Sequence, residues 1–360
     1  YLGLYSSDEG EAKSDSGPIV FTPLCGSGDS TVGDALRERG YDVRIPDGQQ
    51  ADGSFEAIPF RTPNPEVAEA TVPARKFADS VGADLVLATD PDADRMGLAL
   101  KDKNGEFRIL SGNQIGCLLL YHILSRKRED NNLKKNSVAI KTIVSTEAAR
   151  AIADDFGIET VDVLTGFKYI GEKIREYEES EEKDFLFGFE ESYGFLAGTY
   201  ARDKDAVAAA MLITEIAAYY AYKDKTLFDA LQEIQSRYGY FLEDTSSVSF
   251  EGKQGMEQMK RIMNKVRNSP IDAIGGLKVL LRRDFLTLTA TGEKGERLIE
   301  GYPKSDCIHF MLEDRCWACI RPSGTEPKIK VYSASFGQTE ETAAKRLTQI
   351  KEYMHGLLNQ

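Results

Sequence analysis

Three aspartates at alternate positions, Asp90, Asp92 and Asp94, are followed at once by Arg95. Carboxylates at i, i+2 and i+4 of a turning loop can converge on one hard divalent cation, which takes oxygen ligands and keeps part of its shell open for water or phosphate. The arginine beside them offers a planar fork to a phosphate oxygen. An EF-hand also opens Asp-x-Asp-x-Asp, but it needs glycine at its sixth position and glutamate at its twelfth. Those places hold Arg95 and Lys101, so that reading fails. A solvated acidic turn is the plain alternative. It leaves unexplained why the aspartates directly follow the apolar run 85–89, since open α/β sheets place ligand sites at the ends of such strands.

Two further stretches carry polar groups in suggestive order. Phe187-Gly188-Phe189-Glu190-Glu191-Ser192-Tyr193-Gly194 places paired carboxylates beside a hydroxyl at the end of an apolar run. Such a set can accept from and donate to adjacent sugar hydroxyls. An acidic helix start with Ser192 as its cap explains the residues equally well. Arg321-Pro322-Ser323-Gly324-Thr325-Glu326-Pro327-Lys328-Ile329-Lys330 combines hydroxyls, a glycine-containing turn and an arginine able to hold two phosphate oxygens. Pro, Ser and Gly are also ordinary hairpin residues. Glu326 speaks against an anion there, whereas Lys328 and Lys330, on one face of the following strand, speak for it.

The elements that position these residues follow an alternating rhythm. An opening rich in Ser, Asp, Glu and Gly, residues 1–17, reads as a weak helix or linker. A strand over 18–24 precedes the Cys25-Gly26-Ser27-Gly28 loop, a helix near 32–39 and a strand over 41–45. Asn64-Pro65 starts a helical pattern reaching Ser80, and 84–89 is the strand feeding the aspartates. Next come an apolar helix opened by Ser111-Gly112-Asn113, a strand over 138–144, and a helix over 147–156 with Ser145 as its cap. A strand over 159–164, a helix over 169–178, a strand over 185–189 and an alanine-rich helix over 203–222 complete this part. From residue 226 the pattern becomes α+β: a helix to 238, a strand over 245–250, a basic helix over 254–268, short strands around Val279, Leu286 and Phe310, and a last helix over 339–358. The expected domains are 1–110 (α/β), 111–225 (α/β) and 226–360 (α+β).

The totals bound the function. At 360 residues the chain suits two or three domains. Lysine and arginine number 45 against 58 acidic residues, and the net charge of -13 argues against a nucleic-acid or anionic-membrane surface. Nothing near the start resembles a signal peptide, and no apolar run approaches the ~18 residues of a membrane span, so a cytoplasmic protein is expected. The oligomeric state is not legible. Cys307, His309, Cys316 and Cys319 raise a zinc site, but residues three apart on a strand face opposite sides, so buried strand cysteines are the better expectation.

Taken in order, the three motifs resemble those of the α-D-phosphohexomutases, the family of phosphoglucomutase and phosphomannomutase. Leu164-Thr165-Gly166-Phe167-Lys168 and Arg202-Asp203-Lys204-Asp205 resemble the family's third-domain substrate segments. The resemblance implies four domains, three of related α/β fold and a last one like the TATA-binding-protein fold. It implies transfer of a phosphoryl group between a phosphoserine and a hexose monophosphate through a hexose 1,6-bisphosphate, with Mg²⁺ on Asp90, Asp92 and Asp94 and glucose 1,6-bisphosphate as activator. Arg95 and Lys204 would act at the reacting phosphoryl group, and Glu190 and Ser192 at the sugar hydroxyls. Thr165, Gly166, Phe167 and Lys168 would contact substrate. Arg321, Ser323, Gly324, Thr325 and Lys330 would clamp the second phosphate.

The match has a gap. The family's nucleophile loop resembles Thr-Ala-Ser-His-Asn-Pro, and none of His122, His309 and His355 is followed by asparagine. The chain also starts where the family's second domain begins, so a first domain is expected to have been cut away, leaving a chain inactive by itself. Cys25 stands where relatives often have histidine, and Lys330 where some carry arginine. The Glu-Glu-Ser-Tyr loop looks closer to the phosphoglucomutase branch, making glucose the expected sugar. The alternatives are a phosphomannomutase, a phosphopentomutase, or a non-catalytic sugar-phosphate and metal-binding fragment.

Overall fold

The computed structural model describes residues 17–250, 252–323 and 327–358. The chain divides into two compact units, residues 1–234 and 235–360. Among the described residues of the first unit two mixed sheets form, each with helices packed on it.

The first sheet uses β1 (Ile19–Thr22), β2 (Val43–Arg44), β3 (Leu85–Thr89), β4 (Met96–Lys101) and β5 (Phe107–Leu110) in the order β2-β1-β3-β4-β5. β1 runs parallel to β2 and β3, and β3, β4 and β5 return as an antiparallel meander. Helices α1 (Gly28–Glu38) and α2 (Val72–Val81) make the crossovers. All of β1 and β3 is buried, as near-continuous apolar runs require of strands covered on both faces.

The second sheet repeats this order with β6 (Ser137–Thr142), β7 (Glu159–Val163), β8 (Asp184–Glu190) and β9 (Gly194–Ala197), arranged β7-β6-β8-β9. Again the first three are parallel and the last returns antiparallel. Helix α3 (Gly112–Glu129) enters through a capping box, Ser111 Oγ accepting from Gln114 N–H at 3.2 Å and Gln114 Oε1 from Ser111 N–H at 3.0 Å. Helices α4 (Ala148–Asp155) and α5 (Lys168–Ser180) link the parallel strands. Helix α6 (Ala206–Tyr222) is apolar almost all round and correspondingly buried; α7 (Leu227–Tyr238) follows.

In the second unit β10 (Tyr240–Ser249), β11 (Ala273–Ile274), β12 (Leu277–Asp284), β13 (Thr289–Gly292), β14 (Gly295–Leu298), β15 (Ile308–Leu312), β16 (Trp317–Pro322) and β17 (Lys328–Gly337) form one antiparallel sheet. The order is β10-β17-β16-β15-β12-β13-β14, with β11 beside β12. Met263, Val266, Ile308, Phe310, Ile320, Val331, Ile350 and Met354 fill its core with α8 (Gly252–Asn268) and α9 (Glu340–Leu358). No described helix is long and apolar enough to cross a membrane.

Several local expectations need correction. The helix expected from Asn64 begins only at Val72, after a 3-10 turn over Ala68–Thr71, because Asn64 Oδ1 takes the Glu66 N–H into a local turn at 2.9 Å and Pro73 sets the helix start. The helix expected from Asp203 begins at Ala206, where Asp205 accepts from Val207 and Ala208 N–H at 2.8 and 3.1 Å. Ser145 does not cap α4; Thr146 Oγ1 accepts from Ala148 N–H at 3.1 Å instead. Leu286 lies in the turn between β12 and β13. The reading of residues 1–16 lies outside the described residues.

Candidate active site

The aspartate loop hangs between β3 and β4, whose Thr89–Met96 pairing closes it. Asp90 Oδ1 accepts from the backbone N–H groups of Asp94 and Arg95 at 3.1 and 3.0 Å, and Ala93 takes a left-handed φ of 55° that turns the chain. Below it, the N–H and hydroxyl of Ser27 both donate to Pro91 O, at 2.8 and 3.0 Å. This approach requires Gly26, since a Cβ there would lie 2.4 Å from Pro91 Cα.

One oxygen from each of Asp90, Asp92 and Asp94 lies within 4.8 Å of the others. Asp94 Oδ1 is buried and has no hydrogen-bond partner. Burial, opposed by the bond from Arg95 N–H and reinforced by the neighbouring Asp94 and Asp92, pushes the Asp90 carboxyl up to about 6. Three crowded carboxylates with an orphaned buried oxygen are the donor set that a hard divalent cation such as Mg²⁺ fits.

Two cations border the triad. Arg95 Nε stands 3.7 Å from both Asp90 Oδ2 and Asp94 Oδ1, and its Nη1 is 3.4 Å from Glu66 Oε1. Lys204 Nζ lies 2.8 Å from Asp94 Oδ2 and 3.0 Å from Asp203 Oδ1. Burial alone would lower the lysine's pKa; its bonds to Asp94 and Asp203 override that and hold it above the usual lysine range. Lys204 therefore sits here as a fixed positive charge. Cys25 is buried with its thiol toward Gly48 O at 3.7 Å, and burial pushes it up.

The Glu190–Gly194 turn occupies the same place in the second sheet that the aspartate loop occupies in the first. The two are joined directly: Met96 N–H donates to Tyr193 O at 3.0 Å, and Arg95 and Gly194 form an isolated bridge. Glu190 is 8% exposed and accepts from Gly166 N–H at 2.7 Å. Burial, then the charge of Glu191, push its carboxyl up to about 7, while Lys204 and Arg95 pull it down. Glu191 turns the other way, its Oε2 accepting from Thr142 Oγ1 at 3.0 Å and Ser145 Oγ at 3.3 Å. Ser192 is partly exposed beside them. Thr165 and Gly166 are also partly exposed. The Phe167 ring is buried in the core with Ile140, Val163 and Ile170, 5.7 Å from Lys204 Nζ, and Lys168 is exposed over the Tyr169 ring. The structure thus gathers Asp90, Asp92, Asp94, Arg95, Lys204 and Glu190, with Gly166 behind them.

In the second unit Arg321 on β16 pairs with Lys330 on β17. Like charges facing each other across a hairpin are unfavourable by themselves and suit an anion. Ser323 N–H donates to Lys328 O at 2.7 Å, which closes the turn; Gly324 and Thr325 lie outside the described residues. The sulfurs of Cys316 and Cys319 diverge, Cys316 toward Asp314 O at 3.5 Å and Cys319 to Cys307 Sγ at 3.3 Å. His309 stacks on Trp317 and contacts Arg283. Among the described residues the aspartate triad is the one cluster able to hold a metal. Sequence reading missed Glu66, the Glu191 tether and the Cys307–Cys319 contact, because their partners lie 29, 46 to 49, and 12 residues away.

Comparison with known proteins agrees with this geometry. Two family models match: phosphoglucomutase/phosphomannomutase alpha/beta/alpha domain II over residues 5–105 and domain III over residues 111–238. A phosphoglucomutase of Staphylococcus haemolyticus is 36% identical over 317 residues, which cover 87% of this chain and 56% of that protein. The chain belongs to the α-D-phosphohexomutase family. It spans about half the length of the curated relatives it matches. Among solved phosphohexomutases, the Paramecium phosphoglucomutase parafusin in its open form covers 99% of this chain and 60% of its own, with TM-score 0.68 at 15% identity. An Aspergillus fumigatus N-acetylphosphoglucosamine mutase in complex with GlcNAc-6P and magnesium covers 98% of this chain and 69% of its own, with TM-score 0.53 at 14% identity. At these identities the likeness is one of fold. The aspartate loop falls in the phosphohexomutase domain II match, and Thr165, Glu190 and Lys204 in the domain III match.

Proposed function

We propose that this chain is the cation-binding and sugar-binding part of a mutase that interconverts glucose 1-phosphate and glucose 6-phosphate. The observation that carries the reading is the aspartate triad, with its orphaned Asp94 oxygen, bordered by Arg95 and Lys204 and stitched to the Glu190 turn. The curated relatives called phosphoglucomutase support glucose. The Aspergillus mutase, solved with a sugar phosphate and magnesium, supports the ligand class.

Phosphoryl transfer asks mainly for positioning and for charge neutralisation. Asp90, Asp92 and Asp94 would hold Mg²⁺, which supplies Lewis acidity to a phosphoryl oxygen when bound. Arg95 and Lys204 offset charge on the same oxygens. Glu190 and Ser192 hold sugar hydroxyls near the middle of the ring, where one contact set serves both orientations of the sugar, and the 165–168 segment flanks them. Arg321, Ser323, Gly324, Thr325 and Lys330 hold the phosphate that does not react. A phosphoserine gives its phosphoryl group to the free sugar hydroxyl: the serine O–P bond breaks, the sugar O–P bond forms, and the sugar hydroxyl's proton passes in net to the serine oxygen. The resulting 1,6-bisphosphate turns round and returns its other phosphoryl group.

No histidine of this chain is followed by asparagine, so the serine loop of the family is not among these 360 residues. The chain alone therefore binds without turning over. Titration calorimetry with glucose 6-phosphate tests the reading: binding is expected to need Mg²⁺ and to be lost in Asp92→Asn. Binding indifferent to both would overturn it.

A further inference from the structure

Glu66 has no part in that chemistry, yet it touches the guanidinium at its centre. The three carboxylates of Glu66, Asp90 and Asp94 share Arg95, at 3.4, 3.7 and 3.7 Å. The turn that delivers Glu66 is built for the purpose. Asn64 Oδ1 accepts from Glu66 N–H at 2.9 Å, and Asn64 O from Val67 N–H at 3.0 Å. Pro65 is buried flat on β4 at Gly97, where a Cβ would lie 2.7 Å from Pro65 Cβ and 3.3 Å from Pro65 O. Any side chain at position 97 would lift the turn and carry the Glu66 carboxylate off Arg95.

We propose that Glu66 is a positioning residue for Arg95: by holding the Nη1 arm it keeps the guanidinium from closing on the aspartate triad, where Nε stands 3.7 Å from Asp90 and Asp94, and so leaves the triad's oxygens to a divalent cation. The inference rests on the cation reading of Asp90, Asp92 and Asp94. A guanidinium and a metal ion compete for the same carboxylate oxygens. With Glu66 gone, Asp90 and Asp94 are the ion-pair partners left to Arg95 among the described residues, and it closes on them.

Mn²⁺ titration followed by electron paramagnetic resonance tests this on the full 360-residue chain, with Glu66→Gln, Arg95→Met and the double variant. Glu66→Gln is expected to weaken Mn²⁺ binding about fivefold to tenfold, the scale on which neighbouring charged groups couple. Arg95→Met keeps Mn²⁺ bound, and in that background Glu66→Gln has no further effect. Glu66→Asp, which keeps the charge but shortens the reach, falls between. An equal loss from Glu66→Gln with and without Arg95 would show that Glu66 acts through its own charge or through folding and would overturn the proposal, as would an unchanged affinity in the single variant. No Mn²⁺ binding by the unaltered chain is a different result: the cation reading itself fails, and the inference goes with it.

Discussion

Burial, and then the charge of Glu191, raise the Glu190 carboxyl from its ordinary 4.5 to about 7. The folded state holds this proton more tightly than the unfolded chain. Its contribution to stability is therefore complete below the unfolded value and is lost as pH rises through about 7. The slope is at most about 1.4 kcal/mol per pH unit from this one group. We expect the urea midpoint to fall between about pH 5 and pH 7.5, and Glu190→Gln to flatten that fall; parallel curves for the two proteins would show that Glu190 does not titrate there. Its proton would also matter to a sugar bound as proposed, because a neutral carboxyl donates and accepts whereas a carboxylate only accepts. The aspartate triad was legible from sequence because its spacing is local. The opposite fates of Glu190 and Glu191 were not, since they depend on Gly166 and on Thr142 and Ser145 across the sheet.

At the scale of elements, the two α/β sheets place their working loops alike: each follows the last parallel strand and precedes an antiparallel return. The apolar runs made these strands readable. The local turns were harder, as at Asn64 and Asp205, where side chains took backbone N–H groups that a helix pattern would have claimed. The second sheet is pinned by an ionic cluster. Lys141, 1% exposed, has Nζ 2.9 Å from Glu147 Oε1 and 3.1 Å from Asp162 Oδ1, and Arg150 bridges the same two carboxylates at 2.8 and 2.7 Å. Burial would raise the Glu147 carboxyl, but Lys141 and Arg150 carry it down to about 2. Lys141→Met leaves two acids short of a partner and should cost about 3–5 kcal/mol in urea unfolding. A cost below about 1 kcal/mol would mean the cluster is incidental. In the first sheet, Gly26→Ala sets a methyl against the Pro91 backbone. It should cost about 1–3 kcal/mol and weaken Mn²⁺ binding with it; a variant with unchanged Mn²⁺ affinity would show that the aspartate loop does not lean on this turn.

The whole chain divides into units with separate cores, one of them built from Met263, Phe310, Ile320, Val331 and Ile350 within residues 235–360. Units that bury their own apolar surface can unfold separately, so two transitions are expected in urea, with circular dichroism and the fluorescence of Trp317, the single tryptophan, reporting differently. Superimposed curves would mean the units unfold as one. At this scale the family was legible because the motifs stand in a fixed order along the chain, although each is weak alone. The most direct test of the proposed mutase reading is an assay with glucose 1-phosphate, Mg²⁺ and a trace of glucose 1,6-bisphosphate, read as glucose 6-phosphate formed. It is run on the 360 residues alone and on the same residues joined to a serine-bearing first domain of a family member. Mg²⁺-dependent turnover is expected of the joined protein, and none of the chain alone. Turnover by these residues unaided would mean that another side chain carries the phosphoryl group, and the phosphoserine mechanism would be wrong.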